Sequence, residues 1–287
     1  MTLAPIAIES SETSADQQRA LYEEHGYLVY PEMLDVADVG RLRAALDEIL
    51  EEARGLTETN EEFGVTRGVD GGYHVRRVFD PVARHEAFME LAFNSRIVDA
   101  VENLIGPDIQ LHHSKLNLKP SSSPDARFEW HQDYPFFPHT NYDLIAVLVH
   151  IDEATTENGA LRVVPGSHKG GPRDHVFSQD GAFSSRLEDQ SVVTDETKIV
   201  SLPCPSGGVE MHHCNMLHSS TANLGSNPRS AIVLQYRAAD CISLGGRTGG
   251  PGFGMMVRGE NPYQARLLDG SVIKLPGQIG NPLQRDG

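Results

Sequence analysis

A histidine and an aspartate separated by one residue form the most informative chemical feature of the sequence, in Trp130-His131-Gln132-Asp133. The segment has the composition of a strand, in which residues two apart point to the same side. We therefore predict that His131 and Asp133 face one metal ion. His218, which follows an apolar pair in a distant segment, is the candidate third ligand. Two histidines and one carboxylate form the facial triad of non-haem Fe(II) sites, which leaves coordination positions open.

Arg229 is a second chemically informative residue, because it opens an apolar strand shortly after His218. A guanidinium that emerges into an apolar barrel interior needs a partner, since an unpaired buried charge is costly. A dicarboxylate such as 2-oxoglutarate provides one. Its distal carboxylate can accept a bidentate pair of hydrogen bonds from Arg229, while its 2-oxo acid end chelates the metal.

The order of these motifs resembles the phytanoyl-CoA dioxygenase family of Fe(II)- and 2-oxoglutarate-dependent oxygenases. The matching stretches are residues 24–29 (EHGYLV), 130–133, 143–169 and 207–240. Together they span most of residues 20–240, and they are specific as a set rather than singly. The segments 170–195 and 242–262 match no family pattern, so the family name does not identify the substrate.

The resemblance implies a catalytic iron centre formed by His131, Asp133 and His218, and 2-oxoglutarate binding by Arg229. Ser220 matches a position that helps to hold the same carboxylate. Lys119 lies where family members place a further polar contact to the cosubstrate, and Gln132, between two ligands, is expected to border the site. The implied reaction uses O2 to oxidise a small organic substrate, most simply by hydroxylation of an unactivated C–H bond, with release of succinate and CO2. Desaturation and epoxidation remain open.

The local patterns predict helices first and strands afterwards, which is an α+β, mainly β, chain. Capping residues predict helices from Ser14 to about residue 24, from Asp35 to about residue 53, and from residue 94 or 95 to Gly106. Short β-branched and aromatic runs between about residues 109 and 236 predict a barrel or jelly roll, and the family resemblance makes this a double-stranded β-helix. We expect a single domain that comprises a flexible tail (1–13), a helical buttress (14–106), a β core (107–240) and a C-terminal loop and edge segment (241–287). Residues 56–75 are expected to be a loop.

The composition narrows the classes of partner. The net charge of −16 disfavours nucleic acid and anionic membranes. Three cysteines and the lack of a basic, apolar leader pattern favour a cytoplasmic protein. We expect a small-molecule substrate, and the sequence gives no indication of oligomeric state.

Several alternatives remain at this point. Residues 212–214 (His-His-Cys) invite a zinc site, but their spacing matches no structural zinc motif. Arg76, Arg77 and Arg84 are either surface ion-pairing residues or a clamp for an anionic group of the substrate, with Arg77 the best single candidate. A non-oxidative cupin-type metalloenzyme and a non-catalytic binding protein are the competing functions.

Overall fold

The structure, a computed structural model, describes residues 5–8, 13–176, 186–245, 250 and 252–276. Its α-helices in these ranges are α1 (Ala15–His25), α2 (Val36–Glu52), α3 (Glu86–Ala92) and α4 (Ser95–Ile105). Its strands there are β1 (Tyr27–Tyr30), β2 (Phe63–Arg67), β3 (Tyr73–Phe79), β4 (Ile109–Lys119), β5 (Phe128–His131), β6 (Leu144–His150), β7 (Leu161–Val163), β8 (His175–Val176), β9 (Arg186–Leu187), β10 (Val200–Leu202), β11 (Val209–His213), β12 (His218–Ser220), β13 (Arg229–Ala238), β14 (Met255–Arg258), β15 (Gln264–Arg266) and β16 (Val272–Lys274).

The predicted caps start three of the helices. The Ser14 side chain accepts a hydrogen bond from the backbone of Gln17 and completes a capping box at α1. Asp35 caps α2 and Asn94 caps α4 in the same way, by accepting from backbone N–H groups of the first turn. These N–H groups have no partner within the helix, so a side-chain oxygen at this point fixes where the helix begins.

An eight-stranded antiparallel sheet forms one wall of the molecule. Its strands run in the order β1-β11-β6-β13-β4-β3-β2, and β14 also pairs with β4. The outer face of this sheet packs against the helices: Ile232 and Leu234 of β13 lie in one apolar cluster with Leu46 of α2 and Ile97 of α4. The helices therefore buttress one face of a β core, as predicted.

A four-stranded sheet, in the order β10-β7-β12-β5, forms the opposite wall. Ala146 and Val233 of the large sheet share an apolar cluster with Leu161 and Leu202 of the small sheet, so the space between the sheets is a core. Two antiparallel sheets packed in this way form the predicted double-stranded β-helix. No helix among the described residues has the length and apolar character needed to cross a bilayer.

The structure corrects the prediction for residues 56–75. Residues 63–67 and 73–79 form the hairpin β2–β3, which extends the large sheet beyond β4. Only the glycine-rich residues between these strands form the turn, closed by a hydrogen bond from Gly68 N–H to Gly72 O. The polar composition reflects the exposure of much of this edge hairpin, and exposure does not prevent strand pairing. The segment expected to belong to a helical buttress therefore contributes this hairpin in addition to β1.

Described residues near both ends of the chain form backbone hydrogen bonds. Ile8 lies in the predicted tail but is buried, and its N–H donates to Val29 O at 2.7 Å. The C-terminal segment contributes β14 to the large sheet and the β15–β16 hairpin. Parts of the segments 170–195 and 242–262, namely residues 177–185, 246–249 and 251, lie outside the described residues, as do residues 1–4, 9–12 and 277–287. The division into a single domain stays a prediction.

Truncation of the fully buried Ile232 to alanine should destabilise the protein by about 2–5 kcal/mol, because it opens a cavity between the large sheet and the helices. Val36→Ala is the control, since Val36 is 91 % exposed and should change the free energy of unfolding by no more than about 0.5 kcal/mol. Equilibrium urea denaturation measures both variants. Equal effects of the two substitutions would contradict this packing.

Candidate metal centre and cosubstrate pocket

Two histidines meet across the small sheet. His131, the last residue of β5, is the antiparallel partner of His218, the first residue of β12. Both side chains are buried, and their ring centroids are 4.1 Å apart. Residues directly opposite one another on antiparallel strands have close Cβ atoms, so strand register alone brings together two residues that are distant in sequence.

Backbone carbonyls orient the two imidazole rings. Nδ1 of His131 lies 2.7 Å from the carbonyl oxygen of Glu129, and Nδ1 of His218 lies 2.9 Å from that of Met216. A carbonyl can only accept, so each Nδ1 carries the hydrogen and each Nε2 carries the lone pair. This is the arrangement that metal-binding histidines adopt, in which the second nitrogen donates to a fixed acceptor.

Asp133 completes the group, but not by strand alternation. The strand β5 ends at His131, and Asp133 has helical backbone angles (φ −75°, ψ −40°) at the start of a short 3-10 turn. Hydrogen bonds of 3.0 Å from the N–H groups of Asp133 and Tyr134 to Cys214 O hold this turn in place. The ligand atoms of His131, Asp133 and His218 all lie within 4.8 Å of one another. His131 and Asp133 face one point, as predicted, but the alternation of residues along a strand is not the reason.

The burial of the three groups favours metal binding over protonation of the imidazoles. Burial lowers the pKa of His131 to about 4 and that of His218 well below its usual range. Burial would raise the pKa of Asp133, but the contact with His212 and the charge of Lys115 outweigh it, so this pKa lies well below its usual range. Neutral imidazoles and an ionised carboxylate are the forms that bind a metal ion.

His212 is a site residue that the sequence interpretation did not identify. Its Nε2 lies 3.5 Å from Oδ2 of Asp133. His212 also borders the cavity that His131, Asp133 and His218 line. The neighbouring His213 points to the other face of β11, where its ring lies 5.0 Å from that of His168. The adjacent histidines therefore do not converge on one zinc ion. The alternation of residues along β11 predicts that His212 and His213 point to opposite faces of the sheet. The sequence does not indicate which of these faces lines the barrel interior.

The cavity beside the triad extends to Arg229, the first residue of β13. The guanidinium is buried, and its Nη2 donates to Gly159 O at 2.9 Å. Its Nε has no hydrogen-bond partner among the described residues. Burial lowers the pKa of Arg229 to about 10, so it remains charged at neutral pH. A buried cation that borders a cavity is suited to bind an anion there.

Ser220 borders the cavity as well, and Lys119 lies behind it. Nζ of Lys119 donates to Oγ of Ser220 at 2.6 Å and to the carbonyl oxygen of Thr221. Lys119 is fully buried and does not border the cavity. Burial, with the nearby charges of Arg229 and Arg76, lowers the pKa of Lys119 to about 5. Lys119 therefore contacts Ser220, which borders the cavity, but does not reach the cavity itself.

The remaining predicted residues divide between two locations. The side chain of Gln132 donates to the carbonyl oxygens of Gly171 (2.9 Å) and Asn215 (2.7 Å) and accepts from Arg173 N–H (2.7 Å). It thus anchors residues 171–173 rather than bordering the cavity. Arg77 of β3 does border the cavity, and its guanidinium lies 5.5 Å from the centroid of the Phe128 ring.

Two neutral histidines and a carboxylate in a jelly-roll barrel, next to a buried arginine, define a mononuclear non-haem metal site that can accommodate an anionic cosubstrate. Residues 22–231 match the profile of the phytanoyl-CoA dioxygenase family. The chain belongs to this family, and it is an iron- and 2-oxoglutarate-dependent dioxygenase.

Individual relatives agree with this class. The chain is 31 % identical to a probable alpha-ketoglutarate-dependent hypophosphite dioxygenase of Stutzerimonas stutzeri, over 95 % of this chain and 94 % of the relative. It is 26 % identical to the ectoine dioxygenase of Sphingopyxis alaskensis, over 77 % and 75 % of the two chains. The crystal structure of EctD from S. alaskensis with 2-oxoglutarate and 5-hydroxyectoine shares the fold, with a TM-score of 0.65 at 24 % identity over 90 % of each chain.

The metal-free protein should lose stability as the pH falls from about 6.5 to 4. Burial lowers the pKa of both His131 and His139 to about 4, so the unfolded chain binds more protons than the folded chain in this interval. The free energy of unfolding should fall by up to about 3 kcal/mol for each of these groups. Urea denaturation of chelator-treated protein at pH 7, 6, 5 and 4 measures this loss, and an unchanged free energy of unfolding would contradict the burial of neutral imidazoles.

Proposed function

We propose that His131, Asp133 and His218 hold Fe(II), that Arg229 and Ser220 bind the distal carboxylate of 2-oxoglutarate, and that the enzyme hydroxylates a small anionic substrate. The observation that carries this proposal is the location of the Arg229 guanidinium, which is buried and borders the same cavity as the triad. The three candidate ligands leave coordination positions open on an octahedral ion, as a chelating 2-oxo acid requires.

The protein's own groups position the reactants and exclude water. When bound, iron and 2-oxoglutarate supply an oxidant from O2, as the 2-oxo acid loses CO2 to become succinate. The carbonyls of Glu129 and Met216 fix the histidine rings, so that Nε2 of each would be the atom that binds the metal. Apolar side chains such as Leu148 and Val233 border the same cavity and limit the access of water.

The second contact to the cosubstrate carboxylate comes from Ser220. Because Lys119 donates to its oxygen, the Ser220 hydroxyl hydrogen is available to donate towards the cavity. Lys119 therefore acts through Ser220 in this proposal. Gly159, whose carbonyl accepts from Arg229, has φ +89°, and a Cβ there would lie 2.4 Å from Thr221 O. A glycine at this position allows the backbone to approach the side chains of Lys119 and Arg229.

Anaerobic visible spectroscopy tests the metal and cosubstrate assignments. Fe(II) followed by 2-oxoglutarate should produce a weak charge-transfer band that requires both additions. Asp133→Ala should abolish the band, because it removes an iron ligand. Arg229→Gln should raise the 2-oxoglutarate concentration needed for half of the band by about 10- to 100-fold, because a charge-assisted bidentate contact is lost.

Arg258→Gln is the matched control, because Arg258 forms surface ion pairs with Asp99 and Glu102, away from the cavity. It should leave the titration unchanged. If Arg229→Gln also leaves the 2-oxoglutarate titration unchanged, Arg229 does not anchor the cosubstrate.

The charge of the cavity supports an anionic substrate. Although the whole chain carries a net charge of −16, the cavity is bordered by Arg77 and Lys115 in addition to Arg229. If Arg229 holds 2-oxoglutarate, Arg77 and Lys115 provide the positive charge that faces the substrate. The similarity to a relative named as a hypophosphite dioxygenase points in the same direction. This proposal includes small oxyanions beside the small organic substrate expected from the sequence; the cytoplasmic location stays a prediction.

Succinate formation should therefore be stimulated by small anions, such as hypophosphite or a short carboxylate, more than by zwitterionic L-proline or ectoine. Arg77→Gln should raise KM for the preferred anion by about 10- to 100-fold, since one charge-assisted contact is lost. The titration of the Fe(II) and 2-oxoglutarate band should not change in this variant. Arg67→Gln, on the exposed edge strand β2, is the control. A preference for zwitterions that Arg77→Gln does not alter would overturn the anionic assignment.

A further inference from the structure

A second group of potential metal ligands lies inside the barrel and shares no residue with the iron triad. His150 ends β6, Glu210 lies in β11, and Cys204 lies in the turn before β11. Each is only 1 % exposed. One ligand atom from each of the three residues lies within 4.8 Å of the others. A histidine nitrogen, a thiol sulfur and a carboxylate oxygen thus converge at one buried point.

The backbone holds these side chains in place. The His150 N–H donates to Gly208 O at 3.0 Å, and Gly207 N–H donates to His150 O at 2.8 Å. The backbone of Cys204 forms two hydrogen bonds with Ala154, of 2.8 and 2.9 Å. A Cβ at Gly208 would lie 2.5 Å from the Cys204 sulfur, so the glycine makes room for the thiol. The positions of the three groups are therefore set by strand and turn hydrogen bonds.

The polar atoms of this cluster lack hydrogen bonds. Within the part of the chain that the structure describes, both ring nitrogens of His150 and both carboxylate oxygens of Glu210 have no hydrogen-bond partner. Nε2 of His150 and Oε2 of Glu210 are 3.3 Å apart, at ion-pair distance. Buried polar groups are almost always satisfied, and an ion held between these side chains would satisfy them.

We propose that His150, Cys204 and Glu210 bind a second divalent cation of the Zn²⁺ type, separate from the catalytic iron. Nitrogen, sulfur and oxygen donors are the ligand set of zinc. Two ligand atoms about 2.0–2.1 Å from one tetrahedral ion are about 3.3 Å apart, which matches the separation of His150 and Glu210. A thiolate and a carboxylate would neutralise the dication, which makes its burial favourable.

A simpler arrangement would have no metal. Glu210 would pair with His150 and offset the nearby buried charge of Arg229, while Cys204 would remain a thiol. Burial and the charge of Glu210 raise the pKa of the Cys204 thiol, which favours the protonated form until a cation binds. The state of the Cys204 sulfur therefore distinguishes the two arrangements, whichever residues hold the iron and the cosubstrate.

Cobalt substitution distinguishes a metal-bound thiolate from a free thiol at Cys204. The full chain, produced in minimal medium with Co²⁺ in place of zinc, should show a near-ultraviolet thiolate-to-cobalt charge-transfer band. The Asp133→Ala variant, which lacks a ligand of the proposed iron triad, should retain about one cobalt per chain and the same band. Added Zn²⁺, exchanged during a cycle of unfolding and refolding, should abolish it. Elemental analysis gives the stoichiometry in each case.

The chain has three cysteines, so three single substitutions assign the sulfur. Cys204→Ser should abolish the band, whereas Cys214→Ser and Cys241→Ser, at two other buried thiols, should retain it. Far-ultraviolet circular dichroism compares their folding. The proposal is overturned if the unsubstituted chain lacks the band, which needs no variant to fold, or if the band persists in Cys204→Ser.

Discussion

The antiparallel pairing of β5 with β12 is the constraint on which the rest of the site depends. It places His131 directly opposite His218, and the turn after β5 then brings Asp133 to the same point. Cys214, which precedes β12 along the chain, accepts hydrogen bonds from this turn, so both sides of the pairing contribute to one small unit. A shift of one residue in this register would move one histidine to the other face of the sheet and separate the ligands.

The barrel interior concentrates positive charge inside an acidic protein. Arg77, Lys115 and Arg229 lie on three strands of the large sheet, and their side chains border one cavity together with the triad. In a buried setting such charges act over short distances with little screening, which makes them suited to orient anions. The excess of acidic residues therefore says little about the chemistry of the site.

The edge hairpin β2–β3 connects the fold to the proposed substrate selectivity. It extends the large sheet past β4 and places Arg77 opposite Asn117, with Nε donating to Asn117 Oδ1 at 3.4 Å. The hairpin was expected to be a loop because its composition is polar and glycine-rich. Its pairing depends on the exposed edge of β4, a partner that a local pattern of residues cannot reveal.

The sequence by itself determined the starts of α1, α2 and α4, most of the core strands, the three candidate iron ligands and Arg229, because capping, alternation and ordered motifs can be recognised without the fold. Only the tertiary structure decided that Asp133 reaches the site from a turn, that His212 faces it while His213 does not, and that Lys119 contacts Ser220 rather than the cavity. It also decided that Gln132 anchors residues 171–173. These arrangements depend on strand register and on which face of a sheet points inward, and both are fixed by contacts between residues far apart in the chain.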